Sequence, residues 1–158
     1  KLVHGTATFL PAPGVVGSEA TLQAFLQDHY VQAALALFDK VSLALVGIGA
    51  VEPSELLADS GNIFSSEELD ILRDQGAVGD ILLRFFDEDG RPVQKSLNSR
   101  VVSMTLEQLH RADRAVGVAG GRRKHDAIRG ALRGGWINIL ITDCFTARRL
   151  VNQSQPFF

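Results

Sequence analysis

The sequence is poor in the features that mark several protein classes. Cys144 is its only cysteine, so it cannot form an internal disulfide, which is usual for proteins of a reducing compartment. No apolar run approaches the ~18 residues that a membrane helix needs. The first four residues lack the apolar core of a signal peptide. We therefore expect a cytoplasmic protein that does not contact a membrane.

Neither sign of charge dominates the chain. Sixteen Lys and Arg stand against eighteen Asp and Glu, which gives a formal net charge of −2 at pH 7. A nucleic-acid-binding domain normally carries a basic surface, so we do not expect this chain itself to bind DNA. Its four histidines are scattered without metal-ligand spacing, and we expect neither a metal nor a cofactor.

The length suits one well-buried domain, since 158 residues are few for two and 46% of them are hydrophobic. We find no internal repeat and expect residues 1–158 to form a single domain. Because the chain begins with Lys1 and not with Met, we expect it to be a fragment that starts inside a longer protein.

Buried strands alternate with helices in the predicted secondary structure. Apolar runs at 41–46, 78–86, 114–119 and 136–142 are typical of strands buried on both faces. Capping boxes are predicted at Ser65 with Glu68 and at Thr105 with Gln108. This order predicts an α/β fold with a mostly parallel sheet. Ligands bind such sheets at the carboxyl ends of the strands. That rule selects three places, at residues 47–49, 79–80 and 120–121.

The strongest chemical signal is the run from Gly120 to Lys124. Gly120 and Gly121 let the backbone approach a ligand, and the helix that follows presents free N–H groups to an anion. Arg122, Arg123 and Lys124 oppose the helix dipole, which a bound phosphate or carboxylate would explain. A glycine-rich turn before a helix with a solvated basic face explains the run equally well.

Two other motifs have simpler interpretations. Gly47-Ile48-Gly49 is similar to a dinucleotide fingerprint, but Glu52 stands where the third glycine belongs. The run 87–90 is similar to the start of a calcium loop, but the closing position holds Asn98, so we predict a hairpin turn.

Single polar residues leave two interpretations open. Asp80 can orient a sugar hydroxyl or transfer a proton, or it can be a polar turn residue. We predict that Cys144 is a small packed thiol and that His125 faces solvent from a helix.

Seven stretches occur along the chain in a characteristic order. They are LPAP (10–13), LVGIG (45–49), GAVGD (76–80), FFDEDGRPV (85–93), LNSR (97–100), AGGRRKHDAIRGAL (119–132) and LITD (140–143) followed by TA (146–147). Together they resemble the C-terminal effector-binding domain of the SorC family of bacterial transcriptional regulators.

The resemblance implies a three-layer α/β sandwich similar to the glucosamine-6-phosphate deaminase and ribose-5-phosphate isomerase group. It implies a homo-oligomer whose affinity for operator DNA changes when it binds a sugar or sugar phosphate. The ligand-binding residues that it implies, with Arg123 added for its charge, are Gly47, Gly49, Gly79, Asp80, Gly120, Gly121, Arg123 and Lys124.

Two departures from the family pattern qualify these expectations. Family members begin with a helix-turn-helix, and no part of this chain can supply one, so DNA is contacted only through a domain absent here. The family's effector domain also starts earlier, with a strand and a Gly/Thr loop of the phosphate site. The alternative function is a sugar-phosphate isomerase or deaminase that uses Asp80 as base and Lys124 as electrostatic stabiliser.

Overall fold

Six strands and seven α-helices lie within the residues that the computed structural model describes, which are 4–52, 64–93 and 95–153. The strands are β1 (Leu43–Gly47), β2 (Gly49–Ala50), β3 (Gly79–Ile81), β4 (Arg84–Phe86), β5 (Arg114–Val118) and β6 (Ile139–Ile141). The helices are α1 (Glu19–Gln27), α2 (His29–Leu35), α3 (Ser66–Asp74), α4 (Lys95–Asn98), α5 (Leu106–His110), α6 (His125–Arg133) and α7 (Cys144–Gln153). Short 3₁₀ turns occupy Phe38–Lys40 and Arg122–Lys124.

A parallel sheet with the order β1-β5-β6 confirms the predicted α/β class. The carboxyl ends of its strands lie level, because Gly47 pairs with Val118 and Val118 pairs with Ile141. Ala44 and Val46 belong to the same buried cluster as the apolar residues of α6, so this helix covers the inner face. The likeness to the deaminase and isomerase group stays a prediction.

The outer face of the parallel sheet is more open than the sequence predicts. Along β1, Ala44 and Val46 are buried, but Leu43 and Leu45 are exposed, and Leu45 keeps 71% of its surface. Within the described residues, β1 therefore alternates like a strand with one covered face, not two. The prediction of burial on both faces is wrong here because an all-apolar run has no polar positions to mark the open side.

The second sheet is antiparallel, with the order β2-β3-β4. The sequence predicts one strand over 78–86, but the chain reverses after Ile81, which pairs with Arg84 across a two-residue turn. Leu82 and Leu83 form this turn with φ values of 56° and 63°. Turns of this type usually contain Asn-Gly or Asp-Gly, so two leucines gave no turn signal.

Two hydrophobic cores meet at β4. Phe86 lies in the first core with Ile48 and Ile128, between the parallel sheet and α6. Phe85 lies in the second core with Phe64, beside α3. Adjacent strand residues point to opposite faces, so this one strand supplies an aromatic ring to each core. Burying each phenylalanine stabilises the fold by about 2–3 kcal/mol.

Both predicted capping boxes are confirmed. The Ser65 hydroxyl accepts from the Glu68 amide at 3.3 Å, and the Glu68 carboxylate accepts from the Ser65 amide at 2.8 Å. Thr105 and Gln108 repeat the arrangement at 3.1 and 3.0 Å. Gly76 follows α3 with φ 82°, as expected of a residue after a helix end. Among the residues that the structure describes, we find no helix with the length and apolar character of a membrane span.

Candidate functional site

The predicted site residues gather at the carboxyl ends of β1 and β5. Gly47 ends β1 and pairs with Val118, the last residue of β5. Gly120 and Gly121 follow β5 after one residue, Ala119, and Gly49 opens β2 two residues after β1 ends. The side of the sheet on which α/β proteins bind ligands is therefore the side on which these glycines lie.

Gly49 and Asp80 form a close pair across β2 and β3. The two residues are register partners, and a Cβ atom at Gly49 would stand 2.0 Å from Oδ1 of Asp80. Glycine at position 49 thus leaves room for the carboxylate. The other oxygen, Oδ2, accepts a hydrogen bond from the Leu83 amide at 3.0 Å. The carboxylate is consequently fixed at one oxygen while the other lies over Gly49.

The half-buried carboxyl of Asp80 titrates close to neutral pH. Burial raises the pKa of Asp80 to about 6, although the Leu83 hydrogen bond and the positive charge of Lys124 lower it in part. Near pH 6 this group exists in both forms. It can therefore accept a hydrogen bond from a ligand hydroxyl or donate one to a ligand oxygen.

Gly79 allows β3 to lie against the first turn of α6. A Cβ at Gly79 would come within 2.3 Å of the Ala127 Cβ and 2.6 Å of the Gly49 carbonyl oxygen. Such contacts are too short for any side chain. The close approach of β3 to α6 brings Asp80 near Lys124, which precedes the helix.

The three basic residues before α6 have different surroundings. Lys124 acts on Asp80 electrostatically. Arg123 is 68% exposed and lies 3.7 Å from the Glu52 carboxylate, so its charge is partly compensated. Arg122 lines a cavity on the other side of the turn.

Gly121 is held on that other side by Asp143 and Thr146. Its φ is 90°, and its amide donates to Asp143 Oδ2 at 2.9 Å and to the Thr146 hydroxyl at 3.0 Å. A Cβ at Gly120 would stand 2.4 Å from Asp143 Oδ2. Both predicted glycines are therefore required for the loop to lie against α7.

Asp143 is committed to structural hydrogen bonds. Besides Gly121, it accepts from the amides of Phe145 and Thr146 at 3.0 and 2.9 Å and from the Thr146 hydroxyl at 2.7 Å. The Thr146 hydroxyl and amide, together with the other N–H donors, lower the pKa of Asp143 to about 2. Asp143 thus caps α7 and also anchors the Gly121 loop.

A cavity of about 820 Å³ opens beside this anchor, large enough for a small-molecule ligand. Its lining combines two arginines, a buried histidine and an exposed phenylalanine: Gly121, Arg122, His125, Asp143, Phe145, Thr146 and Arg149. The sequence signals here were the TD-x-x-TA stretch and the basic run. They marked the segment but not which residues face one another.

Two single-residue predictions are wrong. His125 does not face solvent: it is 3% exposed, and Nδ1 lies 3.2 Å from the Asp126 carboxylate. Its place on the inner side of α6 explains the burial. Cys144 is exposed and not packed, because it begins α7 at the open side of the loop.

The structure also bears on the calcium alternative. Asp87 Oδ1 accepts from the amides of Asp89 and Arg91 at 3.0 and 2.8 Å, which is the hydrogen bonding of a tight turn. Nowhere in ranges 4–52, 64–93 and 95–153 do three metal-ligating side chains cluster. The hairpin-turn prediction for 87–90 is confirmed.

Comparison with known proteins gives a consistent result. The Sugar-bind family model, which describes a sugar-binding domain, matches residues 1–152. The chain is 37% identical over 144 residues to the deoxyribonucleoside regulator of Bacillus subtilis (strain 168), over 91% of this chain and 45% of that protein. It is 31% identical over 160 residues to the sorbitol operon regulator of Klebsiella pneumoniae, over 95% of this chain and 50% of that protein.

A solved structure shows the same likeness in three dimensions. The crystal structure of the full-length sorbitol operon regulator SorC from Klebsiella pneumoniae matches with a TM-score of 0.81 at 30% identity. The match covers 88% of this chain and 45% of that one. The chain spans about half the length of the curated relatives it matches.

Proposed function

Because the chain belongs to the sugar-binding domain family of SorC-type transcriptional regulators, we propose that it senses a sugar or sugar phosphate between Asp80 and Lys124. The bound effector alters the DNA affinity of the full-length, homo-oligomeric protein, whose DNA-binding domain lies outside this chain. The effector does so by binding more tightly to one of two arrangements of the oligomer.

The observation that carries this proposal is that Gly79 lets β3 pack on α6, which brings the Asp80 carboxylate under the influence of the Lys124 charge. A carboxylate with one uncommitted oxygen can orient a sugar hydroxyl. A lysine at the entrance to α6 can hold an anionic group near the helix N-terminus. Gly47 and Gly121, where a Cβ would meet no heavy atom within 4 Å, leave the backbone open to such a ligand. Gly49, Gly79 and Gly120 support the site indirectly, because they let Asp80, Ala127 and Asp143 lie against the backbone.

Isothermal titration calorimetry tests the proposal with ribose 5-phosphate, glucose 6-phosphate, glucosamine 6-phosphate and the corresponding free sugars. Lys124→Ala should weaken binding at least about tenfold, because it removes one charge-assisted hydrogen bond to the effector. Asp80→Asn should weaken it less, because an amide still accepts a hydrogen bond. Lys40→Ala, at an exposed lysine far along the chain from the site, is the matched control and should bind like wild type.

Equal affinity in wild type and Lys124→Ala would contradict the proposal. So would turnover of any of these phosphates that disappears in Asp80→Asn, since it would identify an isomerase or deaminase. We expect no turnover. The turnover assay tests the enzyme alternative directly, because a carboxyl with a pKa of about 6, as at Asp80, can transfer protons near neutral pH.

A further inference from the structure

The hairpin turn beside Asp80 adopts an unfavourable backbone conformation. Leu82 and Leu83 both have positive φ, 56° and 63°, which costs roughly 1–2 kcal/mol for each residue with a side chain. Asn-Gly in the same two positions would form this turn without that cost. Strain of this kind persists only where the surroundings enforce it.

The surroundings of the turn enforce it through both leucine side chains. Leu82 packs against the first core, which contains Phe86 and Ile81. Leu83 packs against the second core, which contains Phe85. The turn is thus attached to each core by one side chain, and asparagine with glycine would provide neither attachment.

Two hydrogen bonds connect the turn to its neighbours. The Ser103 hydroxyl donates to the Leu82 carbonyl oxygen at 2.8 Å. The Leu83 amide donates to Asp80 Oδ2 at 3.0 Å, and within the described ranges this is the one hydrogen bond that the carboxylate receives. The Arg84 guanidinium, which donates to the Val101 and Ser103 carbonyl oxygens, each at 3.4 Å, holds the Ser103 segment in place.

We propose that the Leu82–Leu83 turn is a positioning element of the effector site, which fixes the Asp80 carboxylate by anchoring the Leu83 amide between the two cores. The inference rests on the proposed function in one respect, that the effector contacts Asp80. With Oδ2 held by Leu83, Oδ1 is the atom presented to the effector over Gly49.

Three variants test the proposal by two measurements. Ser103→Ala removes the tether on Leu82, and the double variant Leu82→Asn/Leu83→Gly keeps a favourable turn but removes both anchors. Leu97→Ala is the control for lost packing alone, because Leu97 also packs against the second core, whereas the hydrogen bond to the Leu82 carbonyl oxygen comes from Ser103. The carboxyl carbon resonance of Asp80, titrated by NMR, reports its pKa, and calorimetry reports affinity for whichever of the panel sugar phosphates wild type binds.

Both turn variants should raise the pKa of Asp80 above about 6, because a loosened turn weakens the Leu83 hydrogen bond that lowers it. Affinity should fall about tenfold, while Leu97→Ala changes neither quantity. A pKa and affinity equal to wild type in Ser103→Ala and in the double variant would overturn the proposal. If wild type binds none of the compounds, the proposed effector fails, yet the pKa measurement still decides whether the turn positions Asp80. Ser103→Ala suffices if the double variant does not fold.

Discussion

The two carboxylates on either side of the Arg122–Lys124 turn are held in opposite ways. Asp80 is half-buried, receives one hydrogen bond from the described residues, and has a pKa raised to about 6. Asp143 is exposed, receives four, and has a pKa lowered to about 2. Burial penalises a charge, whereas N–H and O–H donors stabilise it.

The contrast assigns different roles to the two residues. Asp143 uses its oxygens to cap α7 and to hold Gly121, so it has little capacity left for a ligand. Asp80 keeps one oxygen uncommitted in a less polar environment, where a hydrogen bond to a ligand is stronger than in water. We therefore infer that Asp80 contacts the effector and that Asp143 builds the loop beside it.

The largest expected effect is on the free energy of unfolding, which should depend on pH because Asp80 titrates. The folded protein keeps this proton up to about pH 6, whereas the unfolded chain releases it near the ordinary value of 3.8. Folding therefore takes up a proton between these values, and stability falls as pH rises from 4 to 6, by about 2–3 kcal/mol. Urea unfolding of wild type and Asp80→Asn from pH 4 to 7 measures the difference, because the variant lacks this decline.

Asp143→Asn serves as the control for that experiment. Its lowered pKa stabilises the fold above about pH 4, and that contribution is lost as pH falls toward 2, so the variant should differ from wild type in the acid range. Between pH 4 and 6 the Asp143→Asn curve should run parallel to wild type. If the stability curve of Asp80→Asn is also parallel to that of wild type between pH 4 and 6, burial does not raise the pKa of Asp80.

A smaller effect is expected from Thr146, whose hydroxyl links Asp143 to Gly121. Thr146→Val keeps the shape of this buried side chain but removes hydrogen bonds of 2.7 and 3.0 Å, at a cost of about 1–2 kcal/mol. Thr146→Ser retains the hydroxyl and should lose less than half of that. Chemical denaturation compares the two. A larger loss in Thr146→Ser than in Thr146→Val would show that the methyl group, and not the hydroxyl, stabilises the loop.

The smallest change in stability is expected for Gly49→Ala, although it acts directly on Asp80. The new methyl group would overlap Oδ1, which is the end of a side chain, so the carboxylate moves and the fold loses only about 1 kcal/mol. Effector affinity should nevertheless fall about tenfold or more. Gly17→Ala is the matched control, since a Cβ there meets no heavy atom within 4 Å and Gly17 is not one of the proposed ligand-binding residues. Similar affinities for the two variants would remove Gly49 from the site.

Much of the site was predictable from local sequence because its parts are local motifs. Gly120 and Gly121 between a strand and a helix predict a ligand loop, and the structure places them beside β5 at the predicted end of the sheet. The pair Gly79-Asp80 was selected by the same rule, but the structure places it inside β3 of the antiparallel sheet and not at the end of a parallel strand. The burial of His125 was not predictable, because the residue opens a helix whose inner face is defined only by what packs on it.

By itself, the sequence determined the α/β class, the capped helix starts and the glycine-rich loops, since each depends on residues within a few positions of one another. The tertiary structure alone decided which groups meet. Asp80 and Lys124 are 44 positions apart in the sequence and become neighbours only when Gly79 lets β3 pack on α6. The turn at Leu82 and Leu83 was hidden for the same reason: its conformation is stabilised by two cores assembled from distant segments.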